Sequence, residues 1–267
     1  MSRRMDYHMH TRHSFDGEQS VAELARRMLA LGADECCLTE HYDPGHPEPG
    51  VDRPIDWDAW FAEIAEARAA CPGLILRAGI EIGDHPPRRE ESKRLLDTLP
   101  LDFRLLSLHL VDGVDCYDAE AYYTGRTRAE ACRAYAAALA DSALAWEDFD
   151  SFAHIGYVGR YAPWPDSALR FDDAPEELDA LLRRLVGLGK ALEVNSSTLD
   201  SLGCPMPHPS ILRRYIELGG EDFTFGSDSH RAADDYRGIE RAKELVRSLG
   251  GRWQLSFDRR RPARWPI

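Results

Sequence analysis

Long apolar runs are missing from this 267-residue chain. No stretch approaches the ~20 residues that a transmembrane helix needs. No h-region follows Arg3 and Arg4, so the expectation is a cytoplasmic protein, neither inserted nor exported. Paired cysteine motifs are missing too. Cys36, Cys37, Cys71, Cys116, Cys132 and Cys204 form no Cys-x-x-Cys pair and no regular framework, which reads as reduced, buried thiols. Cys36 and Cys37 are adjacent inside an apolar run, which suits the two faces of a strand. Basic residues are in deficit, with 46 Asp and Glu against 33 Lys and Arg, a net charge of −13. Such a surface repels a phosphate backbone, so stable nucleic-acid binding is not expected. A small anionic substrate is still allowed, because a metal cluster reverses the field inside one pocket. Linkers, low-complexity tracts and internal repeats are also absent, so a single domain is expected over residues 1–267.

What is present is an alternation of short apolar runs with longer amphipathic segments. Strands are expected near Asp6–His10, Glu35–Thr39, Leu74–Ile82, Phe103–His109, Ser151–His154, Ala191–Val194 and Asp222–Gly226. Helical patterns lie between them, at Val21–Leu31, Trp57–Ala70, Arg88–Leu96, Arg128–Trp146, Pro175–Val186, Pro209–Leu218 and Arg237–Leu249. This succession of β-then-α units predicts an α/β fold with a parallel sheet, since each crossover returns the chain to the same edge. A barrel and an open doubly wound sheet both satisfy the pattern. The proline-rich stretch Asp43–Pro54 reads as a loop, and the Arg- and Pro-rich tail Arg259–Trp265 as a solvated terminus.

Ligand-type side chains fall at one place in each unit. The expected strands end in, or are followed by, His8-Met9-His10 with Asp16 beyond, Thr39-Glu40-His41, Gly79-Ile80-Glu81, Ser107-Leu108-His109, Ala153-His154, Glu193-Val194-Asn195 and Ser227-Asp228-Ser229-His230. In parallel α/β folds the carboxyl ends of the strands are where ligands bind. Residues i and i+2 of a strand share a face, so His8 and His10 can grip one ion. A lone His at a strand end is ordinarily a hydrogen-bonded core or loop residue, and that account suffices for His13, His46, His85 and His208. It would need the same coincidence repeatedly to cover His8, His10, His41, His109, His154 and His230. With Asp16, Glu81 and Asp228 they make nine candidate ligands, more than one tetrahedral ion uses. Two or three divalent ions of zinc, iron or manganese are therefore expected.

Together these motifs resemble the polymerase-and-histidinol-phosphatase (PHP) family. The likeness runs from His8 to about Leu249 and rests on His8-Met9-His10-Thr11, Thr39-Glu40-His41, Gly79-Ile80-Glu81, Ser107-Leu108-His109 and Gly226-Ser227-Asp228-Ser229-His230. It implies a distorted (βα)7 barrel in a single domain, with a trinuclear site. His8, His10, Glu81 and Asp228 would hold one ion. Glu81 would bridge to a second held by His109 and His154, and Asp16, His41 and His230 would hold the third. Leu192-Glu193-Val194-Asn195 and His154-Ile155-Gly156-Tyr157-Val158-Gly159-Arg160 look like the histidinol-phosphate phosphatase branch, where Arg160 would hold the substrate phosphate with Asn195 nearby. An arginine suits that task because its planar fork takes two phosphate oxygens at once. The run Ser196-Ser197-Thr198-Leu199-Asp200 departs from the branch, which would carry an Arg where Asp200 stands.

The implied activity is hydrolysis of a small phosphate monoester, histidinol phosphate being the leading candidate substrate. Metals make water nucleophilic at neutral pH. Asp228, His230 and Arg160 would be the catalytic residues, Asp228 or His230 for proton handling, with a metal-bound water an equal candidate for that task, and Arg160 for charge on the phosphate. A phosphatase or phosphodiesterase acting on nucleotide phosphates is the alternative within the family. An exonuclease or proofreading role is disfavoured by the −13 charge, and a non-catalytic metal-binding protein by the size of the ligand set.

Overall fold

A nine-stranded sheet forms the frame of the computed structural model, which describes residues 2–267. Its strands are β1 (Met5–Met9), β2 (Glu35–Tyr42), β3 (Ile75–Gly83), β4 (Phe103–Ser107), β7 (Ser151–Phe152), β8 (Ala191–Asn195), β9 (Asp222–Gly226), β10 (Trp253–Asp258) and β11 (Arg261–Pro266), neighbours in that order. All pairings are parallel except β10 with β11. A short hairpin, β5 (Leu110–Val111) and β6 (Val114–Asp115), stands apart after β4. The crossovers carry α1 (Val21–Ala30), α2 (Trp57–Ala70), α3 (Arg89–Leu96), α4 (Ala119–Tyr123), α5 (Arg128–Ala145), α6 (Pro175–Leu188), α7 (Pro209–Glu217) and α8 (Ile239–Ser248). Ser20 and Thr127 cap α1 and α5 in reciprocal boxes with Glu23 and Glu130, satisfying orphan amide groups at those ends.

Alternation along the strands sorts side chains to two faces. Leu76, Ala78, Ile80 and Ile82 of β3 join the large core against the helices, as do Cys36 and Leu38 of β2. Cys37, Phe103, Leu105, Ala191, Leu255 and Phe257 form a second cluster on the other face, with Met5 and Tyr7. Cys36 and Cys37 therefore do face opposite ways. This second cluster is a floor: Tyr7 meets Phe103 edge-on at 5.1 Å and donates its hydroxyl to Glu35 Oε1 at 2.7 Å. The register of β1 against β2 slips between Asp6 and Met9, as at a β-bulge. Tyr7 can then fill the floor while His8 and His10 both reach Glu81, at 3.2 and 3.5 Å. Plain alternation would have set Tyr7 and His8 on opposite faces.

Beyond β9 the chain lies alongside β1. Asp228 N donates to His8 O and His10 N to Ser229 O, both at 2.8 Å. Gly226 is required by this approach, since a Cβ there would stand 2.3 Å from His8 Cβ and 2.6 Å from Glu193 Oε1. Asp228 itself has φ of 56°, a left-handed backbone that costs a non-glycine residue roughly 1–2 kcal/mol. Strain of this kind persists where the surroundings over-determine it, and it clusters at functional sites.

The tail refines one expectation. The terminus over Arg259–Trp265 is solvated but not irregular: residues 261–266 form β11, largely exposed and hydrogen-bonded along β10. Arg260 binds Asp148 and Asp150, Arg264 binds Asp222, and Arg3 stacks 3.7 Å over the Trp265 ring. Arginines and prolines are what an edge strand tolerates, because one side of it needs no further partner.

Candidate metal centre

Glu81 is the hub. It sits on the inward face of β3, fully buried, and five imidazoles surround its carboxylate. Glu81 Oε1 lies 2.8 Å from His154 Nε2 and 3.3 Å from His109 Nε2. Its Oε2 lies 2.9 Å from His41 Nδ1, 3.2 Å from His8 Nε2 and 3.5 Å from His10 Nε2. Asp228 Oδ1 approaches His8 and His10 at 3.4 and 3.5 Å, and Asp16 Oδ2 meets His230 Nε2 at 3.1 Å. His41 and His230 stand 3.4 Å apart through their Nε2 atoms. All nine candidate ligands are thus brought to one end of the sheet. Three subsets have donor atoms close enough to share an ion: His8, His10 and Glu81; His41, Glu81 and His109; His10, His41 and His230.

The donor set fits divalent metals on a physical test. His8 Nε2, His10 Nε2, His41 Nδ1 and Glu81 Oε2 are buried with no hydrogen-bond partner among the described residues. Buried polar atoms left unpaired cost about 1–3 kcal/mol each, and a cation in their midst removes that cost. The protonation pattern points the same way. Burial pushes the Glu81 carboxyl up, but His41, His8 and His109 outweigh it and hold it well below the usual range. Asp228 is lowered likewise, against burial, by His8, His10 and Arg160. His109 is raised to about 10, its burial being outweighed by Asp43 and Glu81, whereas His10 falls to about 3 through burial and its neighbours His41 and His230.

A second shell of acceptors fixes the tautomers. His230 Nδ1 lies 2.9 Å from Asp228 O, and a carbonyl only accepts, so that nitrogen carries the proton. His109 Nδ1 donates to Asp43 Oδ1 at 2.7 Å, and His8 Nδ1 to Glu193 Oε1 at 2.6 Å. Each leaves Nε2 as the free donor, an arrangement that also raises ligand basicity. Glu40 faces the helices instead. It accepts from Thr11 N and Oγ1, Ser14 Oγ and Trp60 Nε1, which fixes the loop carrying Asp16. Sequence reading missed these roles of Asp43, Glu193 and Glu40. Only position hinted at them, beside a ligand histidine or at a strand end.

Arg160 reaches the centre by a turn. Gly156, at φ of 131°, begins a 3-10 turn over Tyr157–Gly159 that brings Arg160 Nη1 to Asp228 Oδ2 at 2.9 Å. Asn195 departs from its expected place. It is fully buried, its Oδ1 accepting from Ser197 N and Oγ and its Nδ2 donating to Glu193 Oε2 at 3.4 Å. Its side chain is spent on Glu193 and Ser197, and it does not line the cavity over the cluster. Asp200 is exposed and paired with Arg241. A cavity of about 600 Å3 opens over the cluster, lined by Glu81, Asp228, His230 and Arg160 among others, a size suited to a small metabolite.

The PHP domain model matches residues 6–197. The histidinol-phosphatase of Lactococcus lactis subsp. lactis is 32% identical over 249 residues, covering 93% of this chain and 92% of that protein. A protein of Clostridium acetobutylicum named "probable histidinol-phosphatase" is 31% identical over 227 residues, 84% of this chain and 86% of its own length. The crystal structure of the Lactococcus lactis histidinol phosphate phosphatase, complexed with zinc, L-histidinol and phosphate, superposes with a TM-score of 0.91 at 30% identity. It covers 98% of this chain and 99% of that one. With its fold, its ligand cluster and these relatives in agreement, the chain belongs to the PHP family, on the histidinol-phosphatase branch.

Proposed function

We propose that this protein is a metal-dependent phosphomonoesterase that cleaves L-histidinol phosphate to L-histidinol and inorganic phosphate. The observation that carries the reading is the gathering of nine candidate ligand side chains at one end of the sheet, seven of them lining, together with Arg160, one cavity of metabolite size. The Lactococcus relative, whose crystal structure holds L-histidinol and phosphate, supports the choice of alcohol. His8, His10, Glu81 and Asp228 would hold one ion, Glu81 with His109 and His154 a second, and Asp16, His41 and His230 a third, each zinc, iron or manganese. Bound there, the ions would make water nucleophilic at neutral pH and offset charge on the phosphate.

The chain's own groups do the rest. Arg160 grips the phosphate through the edge of its fork that Asp228 leaves free, and its charge opposes the build-up on the equatorial oxygens. His230, held through Nδ1 to Asp228 O, presents Nε2 toward an ion and so keeps no free nitrogen for protons. The proton for the leaving alcohol would come from water in the cavity, with Asp228 Oδ2, beside Arg160, near enough to relay it. Asn195 positions Glu193, which in turn orients His8 and the His154 backbone. The reading includes a distorted (βα)7 barrel formed by one domain over residues 1–267. Its support is the pair of backbone bonds tying β1 to residues 228 and 229. Work in the cytoplasm accords with six free, buried thiols.

Phosphate release from a panel of phosphorylated metabolites, using enzyme reconstituted separately with zinc, iron and manganese, tests the proposal. L-histidinol phosphate should give the highest kcat/KM. Preference for a nucleotide phosphate or a phosphodiester would overturn it.

A further inference from the structure

The wall of the cavity carries a carboxylate that the ligand cluster does not use. Asp115 ends the β5–β6 hairpin, and His46 reaches it from the proline-rich loop, Nε2 to Oδ2 at 2.8 Å. His46 Nδ1 accepts the backbone N–H of Glu48 at 3.2 Å, so Nε2 carries the ring proton and donates it. Asp115 Oδ1 accepts from Tyr117 N at 2.7 Å and from the Tyr157 hydroxyl at 3.1 Å. None of these donors is a lysine or an arginine.

The other carboxylates of the cavity are accounted for. Asp16, Asp43, Glu81 and Asp228 touch ligand histidines. Asp234 is neutralised by Arg231 and Arg237, and Glu18 and Glu48 are exposed to water. Asp115 is different, because its side chain is only 12% exposed and its ion-pair partner among the described residues is a histidine, His46, rather than a lysine or arginine. A carboxylate at the wall of a cavity with no lysine or arginine beside it can take a positive charge, and Oδ2, which has a single donor, still has room to accept.

Its location fits the alcohol half of a phosphate ester. The Tyr157 ring lies against His109 and His154, with centroids 5.1 and 5.4 Å away, and its hydroxyl points outward to Asp115. Asp115 therefore stands one tyrosine ring from the ligand histidines. Beside it Tyr117, 56% exposed, packs edge-on against Tyr161 at 5.0 Å, and such aromatic faces also attract cations. L-histidinol bears an amine on the carbon next to the ester carbon, so its ammonium would lie within a few bonds of the phosphate.

We propose that Asp115 is the specificity residue for the leaving group, binding a cationic amino-alcohol through its carboxylate, with His46 as the residue that positions it. This rests on the phosphomonoesterase reading above. The test compares wild type, Asp115→Asn and His46→Gln on two matched pairs of monoesters. One pair is L-histidinol phosphate and p-nitrophenyl phosphate; the other is phosphoethanolamine and ethyl phosphate. Asp115→Asn should lower kcat/KM for the cationic member of each pair by about ten- to a hundredfold, mostly through KM. The uncharged members should stay within about twofold, with unchanged metal content. His46→Gln should shift the same ratio in the same direction by less. Equal losses on both members of a pair would make Asp115 structural and overturn the proposal, as would no loss on either. Wild-type enzyme that hydrolyses phosphoethanolamine but not L-histidinol phosphate would refute the assigned substrate, while the second pair would still decide the role of Asp115.

Discussion

Replacing Arg160 by alanine separates recognition of a phosphate dianion from metal binding. One guanidinium nitrogen is committed to Asp228 at 2.9 Å, and no second acceptor among the described residues engages the side chain. The rest of the fork is free, with five N–H groups in all to distribute. Removing it deletes a charge-assisted contact of about 1.5–3 kcal/mol, roughly ten- to a hundredfold in rate. Asp228 loses one cationic neighbour but keeps His8 and His10 at 3.4 and 3.5 Å, so metal occupancy should hold. The loss should appear largely in kcat, because the contact tightens as charge moves onto the equatorial oxygens. Arg160→Lys should fall between the two, keeping the charge without the planar fork. The assay is steady-state hydrolysis of a monoester and a matched diester, with metal content measured by elemental analysis on each variant. The diester, carrying one charge fewer, should depend on Arg160 less. An unchanged monoester rate with full metal occupancy would refute the assignment and leave phosphate recognition to the metals alone.

Other outcomes follow from the same geometry. Purified or reconstituted protein should carry more than one equivalent of zinc, iron or manganese; at most one ion per chain by elemental analysis would contradict the multinuclear reading. Glu81→Gln removes the charge that five imidazoles share, and it should lower metal affinity by at least the ~10–100-fold typical of outer partners, with turnover falling in parallel. His109, raised to about 10, must lose its proton to bind a metal. Its contribution to the metal-free fold is present below the ordinary value of about 6.5 and is lost as pH climbs through about 10. Zinc uptake near pH 7 should consequently release protons and tighten as pH rises, which calorimetry in buffers of different ionisation heat can measure. Gly226→Ala drives a methyl into His8 and Glu193 and should cost about 1–3 kcal/mol, seen as a lower Tm and reduced metal content. A wild-type Tm there would mean that β1 and β9 are not held as close as 2.3 Å requires.

Much of this protein is legible in local pattern. Apolar periodicity marks the crossovers, so that Trp57–Ala70 and Asp222–Gly226 fall where the sequence places them. A parallel sheet follows because each helix must return the chain to the same edge. The strand ends then carry the candidate ligands, since each of these residues has its place relative to its own strand, a relation a few residues long. What spacing leaves undetermined depends on partners far apart in the chain. The slip in β1 that turns His8 and His10 inward together arises from pairing with β2 and from the floor that Tyr7 must fill. The roles of Asp43 and Glu193 need His109 and His8 to arrive beside them, 66 and 185 residues away. Asn195 shares its strand-end position with the candidate ligands, yet its amide is taken up by Glu193 and Ser197, and no spacing rule separates those outcomes. The tail was ambiguous for the same reason: arginine and proline suit open water and an edge strand equally, and only β10, lying free alongside, decided between them.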